Sequence, residues 1–451
     1  MSQKMLQPTG EKLMYVVMFT HIISAMTAFM FNFVLPEIRQ TFHLTTVQVS
    51  WVTSSYILIY GMGTVLYGKL ADQYKLKNLL TFGLLFFAFG SIVGLISQTY
   101  SMVLVGRCLQ AVGAAVIPAT SNIIPIRYFS PEKRGAAIGM AFVGLSIGGA
   151  IGPILSAFII SITNWHWLFL SPCFVLCALP FYQKYLREEE RSFTKQMDWL
   201  GCIFLAIAVT TLLLSITKSS WILSLVGGCS IGLFVIRIYT ITNPFIQPRL
   251  FASRGYSIGL ILAFILSGIL LSLPFLTPLL LSQVYRLQPQ DIAFMMVPAA
   301  IVSAILGRTG GRIADRKGNL YLFVISSLLL IISFVLLNMF LKFSPWFISI
   351  FLVLGTIGQT FIMIAISNSI STILPRGQAG IGMGILSMVI FIAQAVASVS
   401  YGKLIDLGGK MGIHEGFIYS NIFLILTIAQ VLILFGYYFL FYHCSKKSLL
   451  H

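Results

Sequence analysis

GMGTVLYGKLADQYKLKN, residues Gly61 to Asn78, joins a glycine-rich apolar stretch to a short charged turn, after which the apolar span LLTFGLLFFAFGSIVGLIS begins. A related stretch, ILGRTGGRIADRKGN, runs from Ile305 to Asn319 much later in the chain. The two share Gly, a basic residue, Leu or Ile, Ala and Asp in that order, followed by further positive charge. Two copies of one uncommon turn predict two related halves, each a bundle of helices, arranged about a pseudo-symmetry axis.

Composition indicates that the surroundings of these halves are lipid. Of 451 residues, 58% are hydrophobic and 9% are charged, whereas soluble domains carry roughly a quarter charged residues. Mean hydropathy is +0.93, and many apolar runs approach the ~20 residues that a bilayer-spanning helix needs. We therefore predict an all-α polytopic membrane protein. The net charge of +17 does not indicate a nucleic-acid partner, because the basic residues lie in loops between apolar spans.

Fourteen transmembrane helices are predicted, at 14–34, 50–67, 79–97, 102–124, 136–160, 166–183, 199–217, 220–240, 256–282, 293–309, 320–341, 346–368, 382–402 and 418–442. The seventh and eighth are separated only by Lys218-Ser219, which leaves their count open. The predicted divisions are a cytoplasmic N-terminus 1–13, an N-terminal six-helix bundle 14–183, a cytoplasmic linker 184–198, two inserted helices 199–240, a C-terminal six-helix bundle 241–442 and a cytoplasmic tail 443–451.

The loop charges predict the orientation of these spans. With both termini inside, 22 of the 29 Lys and Arg residues face the cytoplasm, 6 face outward and Arg107 lies within a span. Positive-inside topology then places both termini in the cytoplasm of a multi-pass membrane protein. YGKLID, Tyr401 to Asp406, echoes YGKLAD at Tyr67 to Asp72. The echo would lie on the external side, as an inverted repeat requires, although chance can also produce it.

Six motifs, in order, carry a resemblance to a known family: LPEI at 35–38, WVTSSY at 51–56, GTVLYGKLADQYKLKN at 63–78, VGRCLQAVGAAVIPA at 105–119, GLSIGGAIGP at 144–153 and GGRIADRKGNLY at 310–321. The chain resembles the major facilitator superfamily, and within it the fourteen-helix drug exporters, most of all the tetracycline efflux proteins of Gram-positive bacteria. The resemblance implies two six-helix bundles, which rock about a site at the membrane midplane, plus two additional helices. It also implies that the membrane is the bacterial plasma membrane.

The repeated charged turn is predicted to act as a gating latch. Asp72 can cap a helix N-terminus and pair with a cation of a neighbouring helix end, and Gly68 allows helices 2 and 3 to approach closely. Such a latch would hold one access state and release in the other; the alternative is that the basic residues only anchor the topology. The predicted latch residues are Gly68, Asp72, Gly311, Arg312, Asp315 and Arg316.

A second motif is predicted at a helix interface. Gly144, Gly148 and Gly152 recur every four residues, so they share one helix face and allow close packing, and Pro153 bends the span. The resemblance implies that this is the antiporter signature of exporters, at the interface between the two halves. Plain helix packing is the alternative interpretation.

Arg107 is the only basic residue placed well inside a span. An intramembrane charge costs a few kcal/mol, so it should face a partner or a watery cavity, and Gln110 shares its helix face. The resemblance implies a role in proton coupling; the alternative is snorkelling to the external surface. His21 can titrate near neutral pH or be structural. The predicted substrate and coupling residues are Asn32, Arg107, Gln110, Gln359, Asn368, Gln394 and His21.

Acidic residues depart from the family pattern. All 12 Asp and Glu residues fall in loops or at span edges. By our alignment, three membrane-embedded acids of the tetracycline exporters fall on Ala28, Gly149 and Gln394. Proton coupling is therefore left open, and a core that is neutral or positive predicts preference for neutral, zwitterionic or anionic substrates over lipophilic cations.

We therefore predict a secondary efflux transporter of amphipathic small molecules, drug-like or tetracycline-like. The alternatives are a facilitator or importer of an anionic or neutral metabolite, and a non-transporting receptor or assembly subunit on the same fold. No nucleophile–base pair or metal-ligand cluster stands out, so no enzyme, cofactor or metal is predicted. The predicted partners are a small-molecule substrate, the lipid bilayer, and protons if transport is coupled; the chain is predicted to be a monomer.

Overall fold

The structure of the protein, a computed structural model, describes residues 7–129, 131–186, 198–242, 244–246, 248–341, 343–374 and 379–448. The α-helices in this part are α1 Gln7–Met30, α2 Leu35–Thr41, α3 Thr46–Gln73, α4 Leu76–Leu95, α5 Tyr100–Ala114, α6 Val116–Tyr128, α7 Pro131–Ile162, α8 Leu179–Tyr185, α9 Trp199–Lys218, α10 Trp221–Thr240, α11 Arg254–Gln283, α12 Pro289–Lys317, α13 Asn319–Met339, α14 Pro345–Ile373, α15 Ala379–Lys410 and α16 Glu415–Ser448. The described residues contain no strand, and the predicted all-α class is confirmed.

Several predicted spans are built from two helical pieces. The first consists of α1, a 3₁₀ turn at Phe31–Val34 and α2, which has Pro36 in its first turn. The fourth is divided between α5 and α6 at Ala115, close to Pro118, which has no backbone N–H to donate and crowds the preceding turn. Such breaks expose backbone carbonyls that polar side chains can then bind.

Thirteen helical segments in the described part are long and apolar enough to cross a bilayer. The predicted tenth span, 293–309, lies in α12, where the apolar part Phe294–Gly307 is shorter. Gly318 ends this helix at a φ of +85°, a backbone conformation that glycine adopts without steric cost. The second charged turn can therefore reverse the chain at once into α13.

Most helix contacts lie within two groups. In the first group α1 packs along α7 and α4 along α5, and in the second α13 packs on α14, α12 on α14 and α11 on α15. The groups meet where α3 packs on α15 and α7 on α12, with a smaller contact between α11 and the 3₁₀ turn that follows α1. The divisions of the chain proposed from the sequence, at 183, 198 and 240, remain a prediction.

The inserted pair, α9 and α10, packs against the line where α3 meets α15. A separate apolar cluster joins the three helices, with Val47 and Leu58 from α3, Leu213 from α9, and Ala395 and Val399 from α15. We call the contact line between α3 and α15 the seam. Because α9 buries apolar side chains from both sides of it, the inserted pair covers the seam.

Candidate functional site

Arg107 on α5 is completely buried, which contradicts the snorkelling interpretation. Its Nε donates to the carbonyl oxygen of Val52 at 3.2 Å. Its Nη1 donates to Gln110 Oε1 at 3.0 Å and, at 3.4 Å, to the carbonyl oxygen of Thr27 near the end of α1. One guanidinium therefore ties α5 to α3 and α1, and the predicted shared face of Arg107 and Gln110 is present as a hydrogen bond.

Two aromatic rings enclose the same guanidinium. The Cζ atom of Arg107 lies 4.2 Å from the ring centroid of Phe31 and 4.0 Å from that of Tyr56. A cation over an aromatic face is attracted by the ring quadrupole, and more strongly where water is excluded. Tyr56 lies one turn along α3 from Val52, so one face of α3 supplies both a carbonyl acceptor and a ring. The WVTSSY motif contained this signal, but sequence reasoning missed both aromatic residues.

A second layer of hydrogen bonds holds the neighbours of Arg107 in place. Gln110 Nε2 donates to Ser91 Oγ at 2.8 Å, which fixes the amide that accepts from Arg107. Thr53 Oγ1 donates to Asn32 Oδ1 at 2.8 Å, so the 3₁₀ turn is attached to α3 next to Val52. We call Asn32, Arg107 and Gln110, with Phe31 and Tyr56, the arginine cluster.

The other predicted substrate residues do not join this cluster. Gln359 and Asn368 on α14 and Gln394 on α15 are half-buried, and no hydrogen bond between described residues connects them to Arg107. His21 is buried on α1 where that helix meets α7, and its Cβ is 3.0 Å from where a Cβ on Gly144 would lie. These four assignments remain predictions.

The glycines of the helix-interface motif face α1. A Cβ on Gly144 would lie 2.6 Å from the carbonyl oxygen of Met18, and one on Gly152 would lie 3.3 Å from that of Met26. Gly148, between them, is as close to the backbone of α1. This glycine face packs within the first helix group, while α7 itself also packs on α12 of the second group. The interface role that the resemblance implies for the motif therefore remains a prediction.

The predicted latch is only partly described. No described atom lies within 4 Å of a Cβ built on Gly68 or on Gly311, and the close helix approach expected at Gly68 remains a prediction. The side chains of Asp72 and Asp315 lie outside the described residues. Arg312 and Arg316, the two arginines of the predicted latch, are exposed.

The echo motif YGKLID makes a contact across the seam. Asp406 on α15 accepts hydrogen bonds from the backbone N–H groups of Thr46 and Val47, at 3.0 and 2.8 Å. Thr45 and Gln48 complete a capping box at the same helix end. The first N–H groups of a helix have no partner inside it, and here the other helix group satisfies two of them. We call this end of the molecule the distal end.

From the distal end the seam stays closed to its middle. The hydroxyls of Ser54 and Ser398 are hydrogen-bonded to each other, and Gly61 packs directly on Phe391. From the serine pair to the pair of Gly61 and Phe391, the residue number rises by seven on α3 and falls by seven on α15. The next step would pair 68 with 384, and at both glycines a Cβ would meet nothing described within 4 Å. We call the end of the seam beyond these two glycines the proximal end.

The lysines of the two echo motifs contact the inserted pair at opposite ends. At the distal end, Lys403 Nζ donates to the carbonyl oxygen of Thr217 at 3.2 Å, and Trp51 Nε1 donates to Thr217 Oγ1 at 3.1 Å. At the proximal end, Lys69 Nζ donates to the carbonyl oxygen of Pro244 and lies 5.1 Å from the ring centroid of Phe245. The inserted pair is thus attached to both sides of the seam.

Asp198 holds the proximal end of the inserted pair together. It accepts from the N–H of Gly201 at 2.9 Å, from Arg237 Nε at 2.6 Å and from the N–H of Phe245 at 3.1 Å. Burial alone would raise the pKa of Asp198, but these hydrogen bonds and the charge of Arg237 lower it below its usual value. The carboxylate therefore stays ionised and links both helices to the loop that Lys69 contacts.

We expect Asp406→Asn to weaken closure at the distal end. The asparagine amide has no negative charge to favour the helix N-terminus, and its single oxygen can accept from only one of the two N–H groups. Together these losses weaken the contact by about 1–2 kcal/mol. That corresponds to a factor of about 5–30 in the ratio of closed to open molecules. Spin labels at Gln40 and Lys410, both exposed, should report a larger population at long distance. Glu415→Gln, at an exposed carboxylate of the same end, is the control; equal distributions for Asp406→Asn and the parent would contradict the expectation.

Comparison with known proteins identifies the group to which this arrangement is similar. The sequence model of the Major Facilitator Superfamily matches residues 17–398. Multidrug resistance protein 3 of Bacillus subtilis (strain 168) is 29% identical over 325 residues, which are 69% of this chain and 63% of that relative. The chain thus matches less than two thirds of that relative's length.

Two further likenesses extend over nearly the whole chain. The MdtD protein of Pectobacterium atrosepticum, which carries a multidrug-resistance name, is 26% identical over 457 residues, covering 96% of this chain and 97% of that protein. The crystal structure of a POT family transporter in complex with 5-aminolevulinic acid superposes with a TM-score of 0.69 at 16% identity, covering 93% and 95% of the two chains. At that identity the likeness is one of fold.

Proposed function

The chain belongs to the Major Facilitator Superfamily, and from that premise we propose that it is a secondary transporter which exports amphipathic small molecules by alternating access. The family places it among membrane transporters and not among enzymes. One observation carries the proposal: the seam between α3 and α15 is closed from Asp406 to Gly61, whereas no described atom lies within 4 Å of a Cβ built on Gly68 or on Gly384. Two bundles that rock about a midplane site pass through such a state.

The charge distribution supports an orientation for the molecule. If 22 of the 29 Lys and Arg residues face the cytoplasm, the proximal end is cytoplasmic. The state with a closed distal end is then open to the inside, where an exporter collects its substrate. The drug-resistance names of the Bacillus and Pectobacterium relatives agree with export.

The arginine cluster supports a preference for neutral, zwitterionic or anionic substrates. Arg107 is buried, and no carboxylate hydrogen-bonds to it within the described part of the chain. A lipophilic cation in the midplane cavity would have no negative partner and would be repelled by the guanidinium. Tetracycline-like compounds, which are zwitterionic, meet this condition, whereas quaternary ammonium compounds do not.

A facilitator of an anionic metabolite is the second candidate function. The observation in its favour is the same buried guanidinium, whose Nη2 has no hydrogen-bond partner. Its fixed charge would attract an anionic solute whether or not protons drive transport. The two functions differ in their dependence on the proton gradient and in the direction of net flux.

The proposed function is tested in a pump-deleted bacterial host. Cells with and without the protein are compared for growth and for dye accumulation over a panel that contains tetracycline, an anionic fluorophore and a quaternary ammonium dye. We expect protection against tetracycline or exclusion of the anionic fluorophore, with little change for the quaternary ammonium dye. Collapse of the proton gradient should raise accumulation if export is proton-coupled. Export of the quaternary ammonium dye alone would contradict the charge preference, and faster uptake of the anion would favour the facilitator.

A further inference from the structure

We propose that the arginine cluster is a binding site for one monovalent anion, either a free halide or a carboxylate group. Buried charge and unpaired donors point to this site whichever way the protein transports. The substrate arm alone, in which the carboxylate belongs to the transported molecule, rests on the proposed function.

Arg107 is a buried charge without a described counter-charge. The guanidinium of Arg107 is completely buried, and the groups that accept its hydrogen bonds are neutral, namely two backbone carbonyls and the amide of Gln110. The rings of Phe31 and Tyr56 stabilise a cation but do not neutralise it. An ionised group inside a membrane is costly unless an opposite charge accompanies it. Among the described residues no Asp or Glu supplies that charge, so a bound anion is the remaining source.

Three buried atoms of the cluster make no hydrogen bond of ordinary geometry, namely Arg107 Nη2, Asn32 Nδ2 and the hydroxyl of Tyr56. The hydroxyl lies near Ser24, whose Oγ is already hydrogen-bonded to Tyr60. Buried polar groups are nearly always paired, and an unpaired set calls for an explanation. All three can donate, and the two nitrogens can only donate. Donors without acceptors indicate a ligand that accepts several hydrogen bonds at once, as an anion does.

The unpaired donors lie on elements that contact one another at Arg107. Arg107 stacks on the ring that carries the Tyr56 hydroxyl, and Asn32 directly follows Phe31, the other ring of the stack. Thr53 fixes Asn32 through its Oδ1, which leaves the NH₂ side of the amide as the unpaired one. The three donors therefore come from α5, α3 and the 3₁₀ turn after α1, the three elements that the guanidinium of Arg107 joins. This turn also contacts α11 of the second helix group, so an anion here would lie near the junction of the two groups.

The chemistry of the site favours a single negative charge. One guanidinium can neutralise a halide or a carboxylate, whereas a phosphate dianion would need a second cation. The aromatic walls add no polar atom beyond the Tyr56 hydroxyl. Chloride, bromide and formate are therefore suitable probes, and sulfate, a dianion that one guanidinium does not neutralise, serves as the reference anion.

The test uses the purified full-length protein in detergent. Its melting temperature is measured against increasing chloride, bromide or formate, with sulfate keeping the ionic strength constant. We expect a saturable rise in melting temperature, because a ligand that binds only the folded state stabilises it by mass action. Crystals grown with bromide should show an anomalous scattering peak beside Arg107.

Three variants make the test specific. Arg107→Gln should abolish the saturable rise. Tyr56→Phe keeps the charge and the ring, and we expect about tenfold weaker binding, as for loss of one hydrogen bond to a charged group. Tyr60→Phe is the matched control, because the Tyr60 hydroxyl already pairs with Ser24 at 3.1 Å, and its anion response should equal that of the parent.

The outcomes separate the two sources of the anion. Halide binding that a carboxylate-bearing substrate displaces, but its methyl ester does not, would assign the site to the substrate's carboxylate. Halide binding that no substrate displaces would assign it to a free ion. Absence of any saturable effect in the parent would overturn the proposal. So would a saturable effect in Arg107→Gln and in Tyr56→Phe that equals the effect in the parent. Because binding is read without transport, failure of the proposed efflux leaves this result interpretable.

Discussion

Arg107→Gln is expected to reduce transport at least about tenfold while the protein still inserts and folds. The substitution removes a cation held between two rings, worth about 2 kcal/mol where water is excluded, and leaves the carbonyls of Val52 and Thr27 without their donor. Each 1.4 kcal/mol changes an equilibrium tenfold, so losing the guanidinium of Arg107 should lower the transport rate by at least about that factor. Export of the substrate found in the drug panel, normalised to the amount of monodisperse protein, measures the effect.

Two further variants show what the Arg107 result means. Arg107→Lys keeps the charge but cannot donate to three acceptors in the planar geometry of a guanidinium, so it should recover only part of the activity. Arg254→Gln removes an arginine from the exposed start of α11 and should transport as the parent does. Parental transport by Arg107→Gln would contradict a role for the arginine cluster.

The sequence predicted the parts of this cluster that depend on local helix geometry. Residues three apart on a helix share a face, which was enough to place Arg107 beside Gln110. It was not enough to find Phe31 and Tyr56, because the contact of Phe31 with the guanidinium depends on where α1 ends and a 3₁₀ turn begins, and that of Tyr56 on how α3 packs against α5. That break requires tertiary contacts, and an apolar span shows no sign of it.

The charged turns remain predictions from the sequence. Gly68 was expected to bring helices together, and nothing described lies within 4 Å of its Cβ position. If this motif changes neighbours during transport, it has two sets of contacts, and the sequence does not say which of them is present. The echo at Asp406 was visible as a repeat, but its partners Thr46 and Val47 lie about 360 residues away, beyond the reach of any local pattern.

The glycine motif on α7 shows how spacing predicts packing but not the packing partner. A repeat of four residues predicts a smooth helix face, and three glycines do lie against a neighbour. The neighbour is α1 of the same helix group, whose carbonyl oxygens at Met18 and Met26 face Gly144 and Gly152. The same contact therefore positions α1, and with it the Thr27 carbonyl that accepts from Arg107.

Gly148→Ala is expected to lower both stability and transport through this contact. The added Cβ would overlap the carbonyl oxygen of Ile22 and lie 2.8 Å from the Cβ of Ala25, so backbone atoms of α1 must move. Overpacking of this kind costs about 1–3 kcal/mol, and a displaced α1 also withdraws Thr27 from Arg107. The melting temperature in detergent and the export rate per folded molecule should therefore fall together.

Gly149→Ala is the matched control, one residue along the same helix. There the nearest described atom to a new Cβ is Phe29 Cδ2 at 3.8 Å, an ordinary van der Waals distance, and alanine favours a helix by about 1 kcal/mol over glycine. We expect Gly149→Ala to match or exceed the parent in melting temperature and to retain export. If the two alanine variants behaved alike, the close approach of α7 to α1 at Gly148 would not determine the geometry of the arginine cluster.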